Sequence, residues 1–192
     1  MHLKRPRVTT QLPDDYTRIT NPERLRPLHD FALQFVAELV NEYDVIESDR
    51  FELVPVIMRE FDYARPPITL TPNAADEAPF SIAFTTFPGL MVRCGRFFHE
   101  PFPVCGCDHC AANLEDEIER LRRILGPVIA GDFAEEVTLP FVGNAYLKWE
   151  LGRIDGPFGM SGGGTGVPRE CARALRLSGV KRIQWQKWTR RK

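Results

Sequence analysis

The chain has 192 residues, 43% of them hydrophobic and 27% charged, with 25 basic and 26 acidic side chains for a formal net charge of -1. A chain of this length builds one core without disulfide support, and its composition is that of a folded domain. The near-neutral charge excludes a global field drawing the protein onto nucleic acid or anionic lipid.

The basic start, Met1-His2-Leu3-Lys4-Arg5-Pro6-Arg7, lacks the apolar run of a signal peptide, and no stretch reaches the apolar length of a membrane span. A cytoplasmic protein with no membrane partner is expected. Residues 1–20 carry Pro6 and Pro13 without apolar periodicity and read as an irregular N-terminal arm, 21–180 as a single α+β domain, and 181–192 as a basic, Trp-containing C-terminal segment.

Leu28, Phe31, Ala32, Phe35, Val36, Leu39, Val40 and Tyr43 recur at spacings of three and four, which predicts a helix near 25–46 with one buried face. A proline-rich passage follows, with Pro55, Pro66, Pro67, Pro72 and Pro79. The period then changes to two, at Phe80, Ile82, Phe84 and at Leu90, Val92, Cys94 around Pro88-Gly89. That pattern predicts an antiparallel hairpin over 80–98 with a tight Pro-Gly turn, running into a group of cysteines.

Asn113 caps the next expected helix, 113–130, whose stripe is Leu114, Ile118, Leu121 and Leu125. Gly126-Pro127 should bend or end it, and Gly131 should close it. Tyr146–Leu151 alternates as a strand, Gly156–Gly166 reads as a flexible hairpin loop, and a short helix spans 168–178 before Gly179. These elements predict an α+β fold in which one antiparallel sheet, including 80–98 and 145–151, packs against about three helices.

Three of the five cysteines fall in Cys105-Gly106-Cys107-Asp108-His109-Cys110. A C-x-C-x-x-C spacing brings three thiolates onto one soft cation, with the small Gly106 permitting a tight reversal, so zinc is the expected cofactor. His99 is the first choice for a fourth ligand, ahead of His109, Cys94 and Cys171, and Asp108 is placed to orient an imidazole. Cys94 and Cys171 also suit small buried hydrophobes. The helix N-terminus after the cluster favours thiolates, which equally serves a reactive-thiol enzyme using Cys105, Cys107 or Cys110.

Phe87-Pro88-Gly89-Leu90-Met91-Val92-Arg93, then Phe102-Pro103-Val104-Cys105-Gly106-Cys107-Asp108 with Cys110, and Trp185-x-x-Trp188 resemble a family of small actinobacterial proteins. That family is a domain of unknown function marked by FP-x-CGCD-x-C, and the resemblance covers roughly residues 25–190. It implies that Cys105, Cys107 and Cys110 are motif positions and that His109 is a variable one. It implies no activity, and the basic last residues depart from the pattern.

Other motifs are weaker. Gly156 to Gly166 lacks the Gly-Lys-Ser/Thr ending of a phosphate loop. Arg182, Lys187, Arg190, Arg191 and Lys192 with Trp185 and Trp188 would suit nucleic acid, but an edge strand packed on the core explains the same residues. Glu135, Glu136, Asp132, Glu60 and Asp62 read as solvated surface, and no nucleophile elbow or H-E-x-x-H motif is present. The favoured function is a zinc-stabilised binding or regulatory module with an unassigned protein partner, ahead of the thiol enzyme and of nucleic-acid contact through the tail.

Overall fold

The computed structural model describes residues 17–50, 62–140, 145–152, 159–167, 169–177, 179 and 181–192. Pro22–Leu25 form a 3-10 turn and Pro27–Glu42 form helix α1, with a proline at the helix start, where no intrahelical N–H is needed. Its expected stripe is buried through Leu28, Ala32, Val36 and Leu39, joined by His29. The helix stops at Glu42 because Tyr43 turns extended.

The first sheet contains β1 (Val45–Ser48), β2 (Tyr63–Pro72), β3 (Phe80–Thr85), β4 (Leu90–Cys94) and β5 (Phe98–Phe102), antiparallel in the order β1-β2-β3-β4-β5. The proline-rich passage thus contains a ten-residue strand. Among the described residues β1 pairs with residues 69–72 of β2 and not with Pro66 or Pro67, and the register against β3 shifts around these prolines. Pro55 lies outside the described residues.

The β3–β4 hairpin forms, with Phe84 opposite Leu90 and Phe80 opposite Cys94, a different register from the one a tight turn at Pro88-Gly89 would set. Its connection is a longer loop, residues 86–89, closed by Thr85 N–H donating to Gly89 O at 3.1 Å. Gly89 does not need a left-handed torsion; a Cβ there would strike the Phe102 carbonyl oxygen. A further strand, β5, intervenes before the cysteines, reached through Gly95 at φ +60.

Helix α2 (Leu114–Ala130) is capped by Asn113, whose Oδ1 accepts from Asp116 N–H at 2.9 Å, and closes on left-handed Gly131. Pro127 lies inside the helix without ending it. The second sheet contains β6 (Phe133–Thr138), β7 (Ala145–Leu151), β8 (Met160–Val167) and β9 (Arg182–Gln184) in the order β8-β7-β6-β9, with helix α3 (Arg169–Leu177) between β8 and β9. The fold is α+β, with its antiparallel strands divided between two sheets rather than gathered in one.

The glycine-rich stretch is a strand over its described part, not a loop. Gly162 lies against the Trp149 indole and Gly163 against Tyr146 and the Leu147 carbonyl, so larger side chains would force β8 away from β7.

One core joins the inner face of the first sheet (Leu70, Phe80, Ile82, Phe84, Val92, Phe98, Phe102) to α1, α2 and the second sheet. Each aromatic buried there contributes about 1.5–3 kcal/mol of transfer free energy. The C-terminal segment belongs to this core. Trp188 stacks on Phe80 at 5.4 Å and donates its indole N–H to Ala78 O at 2.9 Å, while Glu77 accepts from the N–H and hydroxyl of Thr189. Trp185 and Trp188 are 4% and 2% exposed, so neither indole is available to stack on a base.

Candidate metal centre

The cysteine segment lies between β5 and α2, and three neighbours shape it. The Phe87 ring, from the β3–β4 loop, lies so close to Gly106 that a Cβ would collide with it. Glycine is required here by this close approach rather than by a left-handed turn. Ala111 is left-handed at φ 48, and its N–H donates to Cys107 O at 3.2 Å, turning the chain toward the Asn113 cap.

The third neighbour is the N-terminal segment. Asp108 accepts from Arg18 Nε at 2.9 Å and from the N–H and hydroxyl of Thr20 at 2.9 and 3.1 Å, and its own N–H donates to Arg18 O at 2.8 Å. These contacts hold its carboxyl below the usual range, the Thr20 N–H contributing most and Arg18 next. Asp108 therefore anchors residues 18–20 rather than orienting an imidazole. Arg24 adds a bond from Nε to Ala112 O at 3.2 Å.

The sulfurs of Cys105, Cys107 and Cys110 all lie within 4.8 Å of one another, with Cys105 Sγ donating to Cys107 Sγ at 3.2 Å. Cys107 is buried and its two partners are exposed. The backbone N–H of Cys110 directed at Cys107 is the main cause of its lowered pKa, aided by the Cys105 thiol and the His109 N–H. Cys110 is pushed up to about 12, because hydrogen bonding to the Cys105 and Cys107 sulfurs holds its proton. The donors around Cys107 thus favour negative charge on that sulfur more than on Cys110.

Three sulfurs bound to zinc at about 2.3 Å would stand about 3.8 Å apart in tetrahedral geometry, and the present separations in this cluster, 3.2 Å between Cys105 and Cys107 and none above 4.8 Å, bracket that value. It is a group that could hold a metal ion.

The other expected ligands stand elsewhere. His99 is on β5 opposite Arg93, donates through Nδ1 to Phe97 O at 3.1 Å, and lines a separate cleft of about 350 Å³ with Trp149 and Gly162–Gly164. His109 is exposed and outside the sulfur group. Cys94 is wholly buried in the core, where burial pushes its thiol well above the ordinary value. Cys171 is exposed on α3, contrary to the expected buried role.

One carboxylate departs from the expected solvated surface. Glu135 is 1% exposed and accepts from the N–H groups of Arg96, Phe97 and Phe98 at 2.9, 2.7 and 2.8 Å and from Trp185 Nε1 at 3.1 Å. It joins the β4–β5 turn to β6 and to the C-terminal segment. Glu77, likewise buried, holds Thr189. Asp62 and Asp132 are exposed, and Glu60 lies outside the described residues. No periodicity marks Glu135, because an acidic pair on a strand reads as surface until its partners from distant segments are known.

Fold and site together define a two-sheet α+β protein with a cluster of three close cysteines at the start of a helix. The chain belongs to the family of unknown function DUF6226, the match spanning residues 4–192. No curated protein and no solved structure matches it. Among the described residues no helix is long and apolar enough to cross a membrane.

Proposed function

We propose that the protein is a zinc-stabilised binding or regulatory module in which Cys105, Cys107 and Cys110 hold the ion. The observation that carries this reading is the arrangement around Cys107, a buried sulfur receiving two backbone N–H groups with two further sulfurs converging on it. Backbone donors on sulfur stabilise a thiolate before any metal arrives, and a metal ion would displace the proton that Cys110 shares in hydrogen bonds with the Cys105 and Cys107 sulfurs.

His99 lines another cleft, so in this reading the three cysteines are the ligands. Zinc there fastens the end of β5 to the start of α2, beneath Phe87 and beside the Asp108 anchor, which supports a structural role. Unbridged cysteines throughout accord with a reducing, cytoplasmic setting.

A nucleophilic thiol enzyme is less well supported. Cys107, whose pKa is lowered, is buried, and exposed Cys110 is pushed up to about 12, so neither of these two combines exposure with a lowered pKa as attack on a substrate requires. The test is elemental analysis of untagged protein beside Cys107→Ser. About one zinc per chain in the parent, little in the variant, and a lower melting temperature after chelation are expected. A folded, metal-free parent whose melting temperature ignores both zinc and chelator would overturn the reading.

A further inference from the structure

The outward face of the first sheet carries a polar row invisible in the linear sequence. Ser48 stands opposite Thr69, Thr69 opposite Ser81, and Ser81 opposite Arg93. Since paired residues of an antiparallel sheet share a face, these side chains form one line across β1 to β4. Their strand neighbours Leu70, Ile82 and Val92 face the core instead.

The row is built rather than incidental. Thr69 Oγ1 lies 2.7 Å from Ser81 Oγ and 2.5 Å from Arg50 O, and Ser81 is 6% exposed. Arg93 donates through Nη2 to Arg96 O in the β4–β5 turn at 2.8 Å and lines the groove above the row.

A groove of about 650 Å³ runs over the row, lined by Ser48, Arg50, Thr69, Thr71, Ser81 and Arg93, with no acidic side chain in its described lining. Glu135, packed behind Gly95 at one end, has its oxygens committed to three backbone N–H groups and an indole.

We propose that this groove binds a small phosphorylated molecule, its phosphoryl group between Arg50 and Arg93 and its polar body along the hydroxyl row. Guanidinium forks match phosphate oxygens, and hydroxyls both donate to phosphate and accept from ligand hydroxyls. The volume falls within the range of small-molecule sites, about 300–1,000 Å³. The four polar side chains of the row and Arg50 come from five separate chain positions, and the site exists only through strand register. The inference does not depend on the metal centre.

The test is amide NMR of the full chain titrated with inorganic phosphate, glucose 6-phosphate and glucose, for the parent, Arg50→Gln and Arg93→Gln. Phosphate and glucose 6-phosphate should move the Ser48, Thr69, Ser81 and Arg93 amides, with glucose alone inert. Arg50→Gln, on an exposed residue, should weaken binding about tenfold or more with the unfolding midpoint unchanged. Arg93→Lys, which keeps the charge and loses the fork, should bind better than Arg93→Gln.

An absence of shifts at about 10 mM glucose 6-phosphate would overturn the proposal. So would equal binding by parent and Arg50→Gln, or tighter binding of a single-stranded oligonucleotide through the same residues, since the occupant would then be a polymer.

Discussion

Asp108 and Thr20, 88 positions apart, are joined twice: the Asp108 carboxylate accepts both the backbone N–H and the hydroxyl of Thr20. The residue between the second and third cysteines thus fastens the N-terminal segment. Asp108→Asn keeps the size of the side chain while removing its charge and one acceptor oxygen. Hydrogen exchange at the Thr20 amide should accelerate in this variant, with exchange in β3 and β4 unchanged. Equal protection of Thr20 in both proteins would show that the contact does not hold the segment in solution.

Metal binding should release protons. Cys107 is lowered but Cys110 stands at about 12, so at neutral pH the metal-free cluster keeps protons that three thiolate ligands must give up. Apparent zinc affinity should therefore rise with pH across the neutral and mildly alkaline range. Calorimetric titrations in two buffers of different ionisation enthalpy should differ by at least about one proton's worth of buffer heat per zinc, the proton that Cys110 gives up. Equal heats would mean that the cluster was already deprotonated.

Glu135 is satisfied by four N–H groups from two distant segments. Burial pushes its pKa up, opposed by the Arg96, Phe97 and Phe98 N–H groups and the Trp185 indole. Glu135→Gln replaces one acceptor oxygen with an NH2 aimed at donors and should cost about 3 kcal/mol. Urea unfolding measures this directly. A loss under about 1 kcal/mol would return Glu135 to the ordinary surface class.

His29 is buried on α1, donates through Nε2 to Gly89 O at 2.8 Å and meets the Phe84 ring edge-on. Burial lowers its pKa below 6.5, only partly offset by the Gly89 bond. As pH falls below about 6.5 the unfolded chain takes up a proton that the folded state resists. The stabilising difference is fully present above that pH and is lost as pH falls through the folded value. His29→Gln can keep a donor for Gly89 and should flatten the decline in melting temperature between about pH 7 and pH 5. An unchanged slope would assign the acid sensitivity to other groups.

Elements whose pattern is local were legible in the sequence. The stripe Leu28, Ala32, Val36, Leu39 specifies α1, the Asn113 cap and Gly131 bound α2, and alternation at Phe80 to Cys94 marks the buried faces of β3 and β4. Strands β2 and β8 were hidden because Pro66, Pro67 and Gly162–Gly164 carry breaker chemistry. Among the described residues the prolines lie beyond the part of β2 that pairs with β1, and at Gly162 and Gly163 the Trp149 and Tyr146 rings leave no room for a larger residue.

By itself the sequence determined that Cys105, Cys107 and Cys110 would converge, since neighbours two and three positions apart in a tight turn cannot stand far from one another. The tertiary structure alone decided that His99 faces another cleft, that Cys107 is the buried sulfur, and that Asp108 grips Thr20. The physical reason is register: a strand alternates its side chains between faces, and only pairing with distant strands fixes which face, and which neighbours, each residue meets.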